Sequence, residues 1–254
     1  MDSSQTLFAN NVRDGCRAPS AGCAMTYRSI WLEPEEPART GRPAEWSRAQ
    51  ITEAALAVAD ADGLAAVTMR RVASRLGTGA ASLYRYVATR DDLLDLMADA
   101  ALAAFTPAPD SGDWRDDLVA DHIGVLHLLR ARPWLLDIVR SRPAAGPNGT
   151  LVVENTLARM AGHPAPGARK MEVVGTLFGM IQTYAASERP GGGILDDDFL
   201  AVQVQLMRQA VASGRYPHLA AVLAEPPTHT GESPDDQLAR VLRLVLAGML
   251  PEQL

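Results

Sequence analysis

One stretch, Thr68 to Leu94, limits the possible folds more than any other: TMRRVASRLGTGAASLYRYVATRDDLL. Thr68 has the short hydroxyl side chain that caps a helix N-terminus. Met69, Val72, Ala73 and Leu76 recur at helical spacing and form one apolar face, with Arg70, Arg71 and Arg75 directed elsewhere. Gly77 then stops the helix, because a tight exit turn wants a residue tolerant of positive φ. A second helix is predicted from Gly79 to Val87. Ala80, Leu83 and Val87 face inward, which leaves Ala81, Ser82, Arg85 and Tyr86 on the outside. Thr89 opens another helix, with Asp92 three residues on as a variant capping box. A small residue where two helices nearly touch, a glycine at the turn and a leucine anchoring the second helix make helix-turn-helix grammar.

The flanking chain extends this pattern. Ser47 is a plausible cap for a helix to Asp60, carrying Ile51, Ala55, Val58 and Ala59 on one stripe, and Asp62-Gly63 ends it. The helix from Thr89 continues through Leu93, Met97, Ala100, Ala101 and Ala104 until Pro107 and Pro109 stop it. Beyond Asp113, apolar helical stripes alternate with Pro/Gly breaks. Helices are predicted at 114–131, 134–139, 150–160, 169–187, 199–212, 218–223 and 235–250, with a mobile loop at Gly191-Gly192-Gly193. No strand and no internal repeat emerge. Aromatics are only 5% of the 254 residues and Ala and Leu dominate, which suits an all-α fold. The expected organisation is an N-terminal three-helix domain over 46–105 and a larger helical domain over 112–254. Residues 1–45 are rich in Pro, Gly, Ser and charge and are expected to be mostly disordered. Within them Ser29 to Glu33 is a short apolar patch able to dock. Arg39 and Arg42 read equally as a basic arm or as a solvated tail.

Net charge is −6, which alone argues against a nucleic-acid partner. Its distribution reverses that. Between Arg39 and Arg90 lie eight arginines against Glu45, Glu53, Asp60 and Asp62, so this segment is +4 and the remainder −10. A basic patch on an acidic protein is an electrostatic footprint for nucleic acid, or else a solvated arginine-rich helix face. Cys16 and Cys23 have neither the spacing nor the partners of a zinc site or a disulfide framework. No phosphate loop, GxSxG, HExxH, di-iron or cysteine–histidine signature occurs, and His122 and His127, five apart, do not share a helix face for a metal. No cofactor and no catalytic residue is expected. No apolar run reaches the roughly 18 residues of a membrane span, and no secretory signal is evident, so a cytoplasmic protein is expected.

From Trp46 to Ala104 the chain resembles the DNA-binding domain of the tetracycline-repressor (TetR) family. The resemblance rests on Thr68-Met69-Arg70, Ala73, Leu76-Gly77, Ser82-Leu83-Tyr84 and Thr89-Arg90-Asp91-Asp92-Leu93. Arg132-Pro133-Trp134, Gly214 to His218 and the closing Leu-rich helix are similar to the C-terminal half of its tetracycline-repressor subgroup. The resemblance implies an all-helical homodimer that binds a palindromic operator and releases it when a small-molecule inducer enters the C-terminal domain. By position, Thr68, Tyr84, Tyr86 and Arg90 would contact phosphates, which set register. Arg70, Ala81, Ser82 and Arg85 would face base edges. Tyr84 also reads as a half-buried packing residue, and Arg75 as a solvated one.

The predicted helices at 169–187 and 235–250 are long and apolar enough to form a four-helix interface between two chains, or the core of one. Polar and aromatic groups on otherwise apolar helices are the candidate ligand contacts: His122, His127, Trp134, Phe178, Gln182, Tyr184 and Met207. They suit an apolar or aromatic ligand. In tetracycline-binding members a histidine near the end of helix 4 lines the drug site, whereas here the matching position falls near Thr106. Two other functions stay open from sequence: a DNA-binding or architectural protein without small-molecule input, and a small helical enzyme.

Overall fold

The structure is a computed structural model and describes residues 29–33, 46–142, 146–189, 197–225 and 231–251. The expected disorder over 1–45, apart from 29–33, lies outside the described residues, as do Arg39, Arg42, both cysteines and the Gly191–Gly193 loop. Eleven α-helices and no strand occur among the described residues: α1 Arg48–Asp62, α2 Met69–Arg75, α3 Ala80–Leu83, α4 Arg90–Leu102, α5 Trp114–Ala131, α6 Pro133–Ser141, α7 Pro147–Arg159, α8 Gly167–Ser187, α9 Asp197–Ala212, α10 Pro217–Ala224 and α11 Pro234–Met249. None is long and apolar enough to cross a membrane.

Local chemistry starts and stops these helices where the sequence places its caps. Ser47 and Gln50 form a reciprocal capping box on α1, with the Ser47 N–H donating to Gln50 Oε1 at 2.9 Å. Thr68 Oγ1 accepts from the Arg71 N–H at 3.2 Å. Thr89 and Asp92 cap each other on α4 at 3.0 and 2.9 Å. Each such cap stabilises its helix by about 1 kcal/mol. At the end of α2, Gly77 sits at φ +70°, the Thr78 N–H reaches the Ala73 carbonyl and the Gly77 N–H reaches Ser74. That is a Schellman exit, open to glycine without the steric cost a Cβ carries.

The second helix of the motif differs from the sequence expectation. A helix over Gly79–Val87 is predicted, but regular α-geometry covers only Ala80–Leu83, and a hydrogen-bonded turn carries the chain to Val87. The Tyr86 and Val87 N–H groups both converge on the Leu83 carbonyl, at 2.9 and 3.0 Å. The Arg48 Nε–H donates to the Tyr86 carbonyl at 3.1 Å, a long-range bond that holds the turn just beyond α3. Leu83 and Val87 are both fully buried, which keeps the pair anchored although the helix between them is short.

In the C-terminal half α5 is central, packed by α6, α7, α8 and α11. Leu118, Leu126 and Leu129 of α5 meet Val173, Leu177 and Ile181 of α8 and Leu238, Leu242 and Leu246 of α11 in one core. Burial of each such side chain contributes about 1.5–3 kcal/mol relative to exposure. The segment between α4 and α5 is held by buried carboxylates: Asp121 accepts from the Ala108 N–H at 2.6 Å, Asp117 from Ser111 at 2.9 Å, and Arg159 of α7 bridges both acids.

The two halves meet across a polar joint. The Trp134 indole N–H donates to Asp60 of α1 at 2.7 Å. Arg142 pairs with Asp91 and Asp95 of α4, each at 2.7 Å. Asp99 of α4 accepts from the backbone N–H groups of Asn148 and Gly149 and from the Asn148 amide, and so caps α7 from a distant helix. The apolar patch before the first helix docks at this same joint. Ile30 is 3% exposed, and Trp31 lies against Gly146 at the start of α7. Arg48 donates to the Glu33 carbonyl at 3.1 Å.

Candidate nucleic-acid interface and effector site

The outer side of the α2–α3 pair is the candidate nucleic-acid interface. Arg70, Ala81 and Arg85 are exposed and Ser82 is half-buried. Tyr84 is 51% exposed, while the neighbouring Leu83 is fully buried, so the anchor and the exposed ring alternate along one short turn. Tyr86 is partly buried against the core, and the Arg85 guanidinium sits 5.8 Å from its ring centroid, so the two side chains brace each other. Thr68 accepts a backbone N–H through its hydroxyl oxygen and still has its own proton to donate, since a hydroxyl is both donor and acceptor.

Two arginines have structural tasks that spacing does not reveal. Arg90 donates through Nε to the Val67 carbonyl at 3.0 Å and through Nη2 to Leu64 at 3.2 Å. It thereby fixes the segment that presents Thr68. Arg48 ties the exit of α3 to the docked Ile30–Glu33 segment. No local pattern announces these bonds, because their partners are backbone carbonyls 15 to 38 residues away. Arg71 pairs with Asp62 at 3.0 Å, and both side chains are largely solvated.

The seven candidate ligand residues do not form one cluster. His122 and Phe178 meet between α5 and α8, with ring centroids 5.3 Å apart and planes tilted by 57°. Gln182 follows one turn after Phe178 on α8 and is half-buried. His127 pairs with Asp235 at 2.7 Å, and Tyr184 donates to the Pro234 carbonyl at 3.0 Å. Both belong to an ion cluster in which Arg130 also binds Glu188 and Asp235, pinning α5, α8 and α11 together. Trp134 serves the joint to α1, and Met207 is exposed on α9 beside Phe199, Val202 and Leu206.

The interior His122 is 1% exposed. Burial pushes its pKa below the ordinary histidine value, against the opposing pull of the Leu118 carbonyl and of Asp121. Among the described residues no group of three or more His, Cys, Asp or Glu is arranged to hold a metal ion.

Comparison with known proteins agrees with both halves. Residues 51–97 match the family model described as bacterial regulatory proteins, tetR family, and residues 106–252 match the tetracyclin repressor-like C-terminal domain. The HTH-type transcriptional repressor DrrR1 of Streptomyces coeruleorubidus is 36% identical over 211 residues, covering 80% of this chain and 78% of that protein. An HTH-type transcriptional regulator of Saccharopolyspora erythraea is 37% identical over 134 residues, covering 52% of this chain and 56% of the relative. Among solved structures, ActR of Streptomyces coelicolor in complex with actinorhodin superposes with a TM-score of 0.67 at 28% identity, over 82% of this chain and 96% of that one. Apo ActR gives 0.65 over 81% and 95%. With a helix-turn-helix reader at one end, a helical regulatory half at the other and relatives of this kind, the chain belongs to the TetR family of DNA-binding transcriptional regulators.

Proposed function

We propose that the chain is a homodimeric repressor that binds a palindromic operator and leaves it when a small apolar or aromatic molecule enters the C-terminal half. The observation that carries this is the paired anchor and reader, Leu83 buried beneath exposed Tyr84 and Arg85, joined through α4 to a regulatory half of the family's helical kind. Arg70, Ala81, Ser82 and Arg85 are proposed for base edges, and Thr68, Tyr84, Tyr86 and Arg90 for phosphates. The proposed domains are 46–105 for DNA and 112–254 for ligand and dimer. Repression takes place on the cell's own DNA, so the working place is the cytoplasm, and no catalytic role is assigned.

Dimerisation is supported by the outward faces of α8 and α11. Met171, Val241 and Leu244 are exposed there, and Gly175, Gly179 and Gly248 have nothing within 4 Å of where a Cβ would stand, which allows close helix approach. A two-fold reader also explains why a palindrome would be its target. The ActR–actinorhodin complex supports ligand control in a structure of the same fold. His122 and Phe178 are proposed as the centre of the ligand site.

The test is an operator complex formed with DNA upstream of the protein's own gene and challenged with a panel of aromatic compounds. Release by at least one compound class is expected. A complex that no ligand weakens would leave a DNA-binding regulator without small-molecule input.

A further inference from the structure

We infer that His122 is an obligate hydrogen-bond acceptor, so that the effector is an aromatic molecule bearing a free hydroxyl or N–H donor. This rests on the proposed ligand site between α5 and α8. His122 Nδ1 lies 2.8 Å from the Leu118 carbonyl oxygen, one turn back on α5. A carbonyl can only accept, so Nδ1 carries the proton. The buried ring stays neutral, and its Nε2 is then a bare lone pair. Among the described residues Nε2 has no hydrogen-bond partner, although the side chain is 1% exposed.

A buried acceptor left unmatched is costly, and what relieves it must bring a proton. An ether or ketone presented to Nε2 sets lone pair against lone pair, whereas a phenol or aromatic N–H donates to it. The Phe178 ring, tilted at 5.3 Å from the imidazole, supplies the aromatic wall on which a flat ligand packs. Half-buried Gln182, one turn along α8, adds a polar group able to donate or accept. The fixed tautomer therefore selects a ligand by the proton it carries as well as by its shape.

The experiment uses the full chain and two probes of nearly equal shape, 2-hydroxyanthraquinone and 2-methoxyanthraquinone. Calorimetry is expected to give at least about tenfold tighter binding of the phenol, because a site that hydrogen-bonds a hydroxyl rejects the analogue lacking it. In His122→Phe the preference is expected to fall to about twofold or less, since the acceptor is gone while an aromatic ring is kept. In the wild type, the nitrogen-15 resonance of Nε2 is expected to begin as an unprotonated imidazole nitrogen. It should move upfield with the phenol and stay in place with the ether. This readout does not depend on the variant folding. Equal affinities overturn the inference, as does an unchanged preference in His122→Phe or a proton found on Nε2. An Nε2 signal already shifted in the free protein and unmoved by the phenol assigns the nitrogen to a bound water and also overturns it. If neither probe binds, the ligand class is wrong, while the sensor function itself is judged separately by operator release across the wider panel.

Discussion

At the scale of single residues, Arg85 and Tyr84 separate reading from gripping. Arg85→Ala is expected to cost about 1–3 kcal/mol and to relax preference at one operator position, because a lost base-edge contact costs only where the preferred base stands. Tyr84→Phe should weaken specific and random DNA alike. Anisotropy titrations on operator and scrambled duplexes measure both. Equal losses for Arg85→Ala on the two duplexes would remove it from base reading. His122 gives a second prediction. Its pKa is lowered by burial from 6.5. As pH falls below that value the unfolded chain takes up a proton that the folded ring refuses, even with Asp121 beside it. Stability should therefore fall below about pH 6.5, by at most about 1.4 kcal/mol per pH unit from this group. Urea melts at pH 7.5 and 5.5 should show a smaller drop for His122→Phe than for the wild type.

At the scale of elements, the docked Ile30–Glu33 segment and the start of α7 depend on one glycine. A Cβ on Gly146 would overlap the Asp99 carboxylate and come within 2.6 Å of Trp31 Cζ2. Gly146→Ala is expected to destabilise by about 1–3 kcal/mol, the usual cost of overpacking, as measured by denaturant unfolding. Wild-type stability would show that neither the Asp99 carboxylate nor Trp31 is held against Gly146. The capping signals at Ser47, Thr68 and Thr89 were legible because a cap and its target lie within three residues. So were Gly77 and the buried set Ala73, Leu83 and Val87. The shortness of α3 was not, and the bond that holds the turn after it comes from Arg48, 38 positions away from Tyr86. The division of the candidate ligand residues was hidden for the same reason. His127 and Tyr184 have the residue types and spacing of pocket residues, yet their partners, Asp235 and Pro234, lie on α11.

At the scale of the whole molecule, the joint is what an effector would have to move. Asp60, Asp91, Asp95 and Asp99 on the reader side face Trp134, Arg142 and the start of α7 on the regulatory side. A slight tilt of α4 would break some of these bonds and change the spacing of the two readers in a dimer. Arg142→Ala should destabilise the fold by about 3–5 kcal/mol, because it leaves Asp95, whose side chain is 8% exposed, without its charge partner. Leu244 is 65% exposed on α11, and Leu244→Glu is expected to shift the protein to monomer in sedimentation velocity while leaving helicity intact. A monomeric wild type would contradict that.

Selection from a pool of random duplexes by the full chain, without any effector, tests the central claim most directly. The expected outcome is enrichment of an inverted repeat bound by two chains, with half-sites separated by about one DNA turn or a multiple of it. Enrichment of no sequence, or of a single asymmetric site bound by one chain, would contradict the reading of this protein as a dimeric operator-binding repressor.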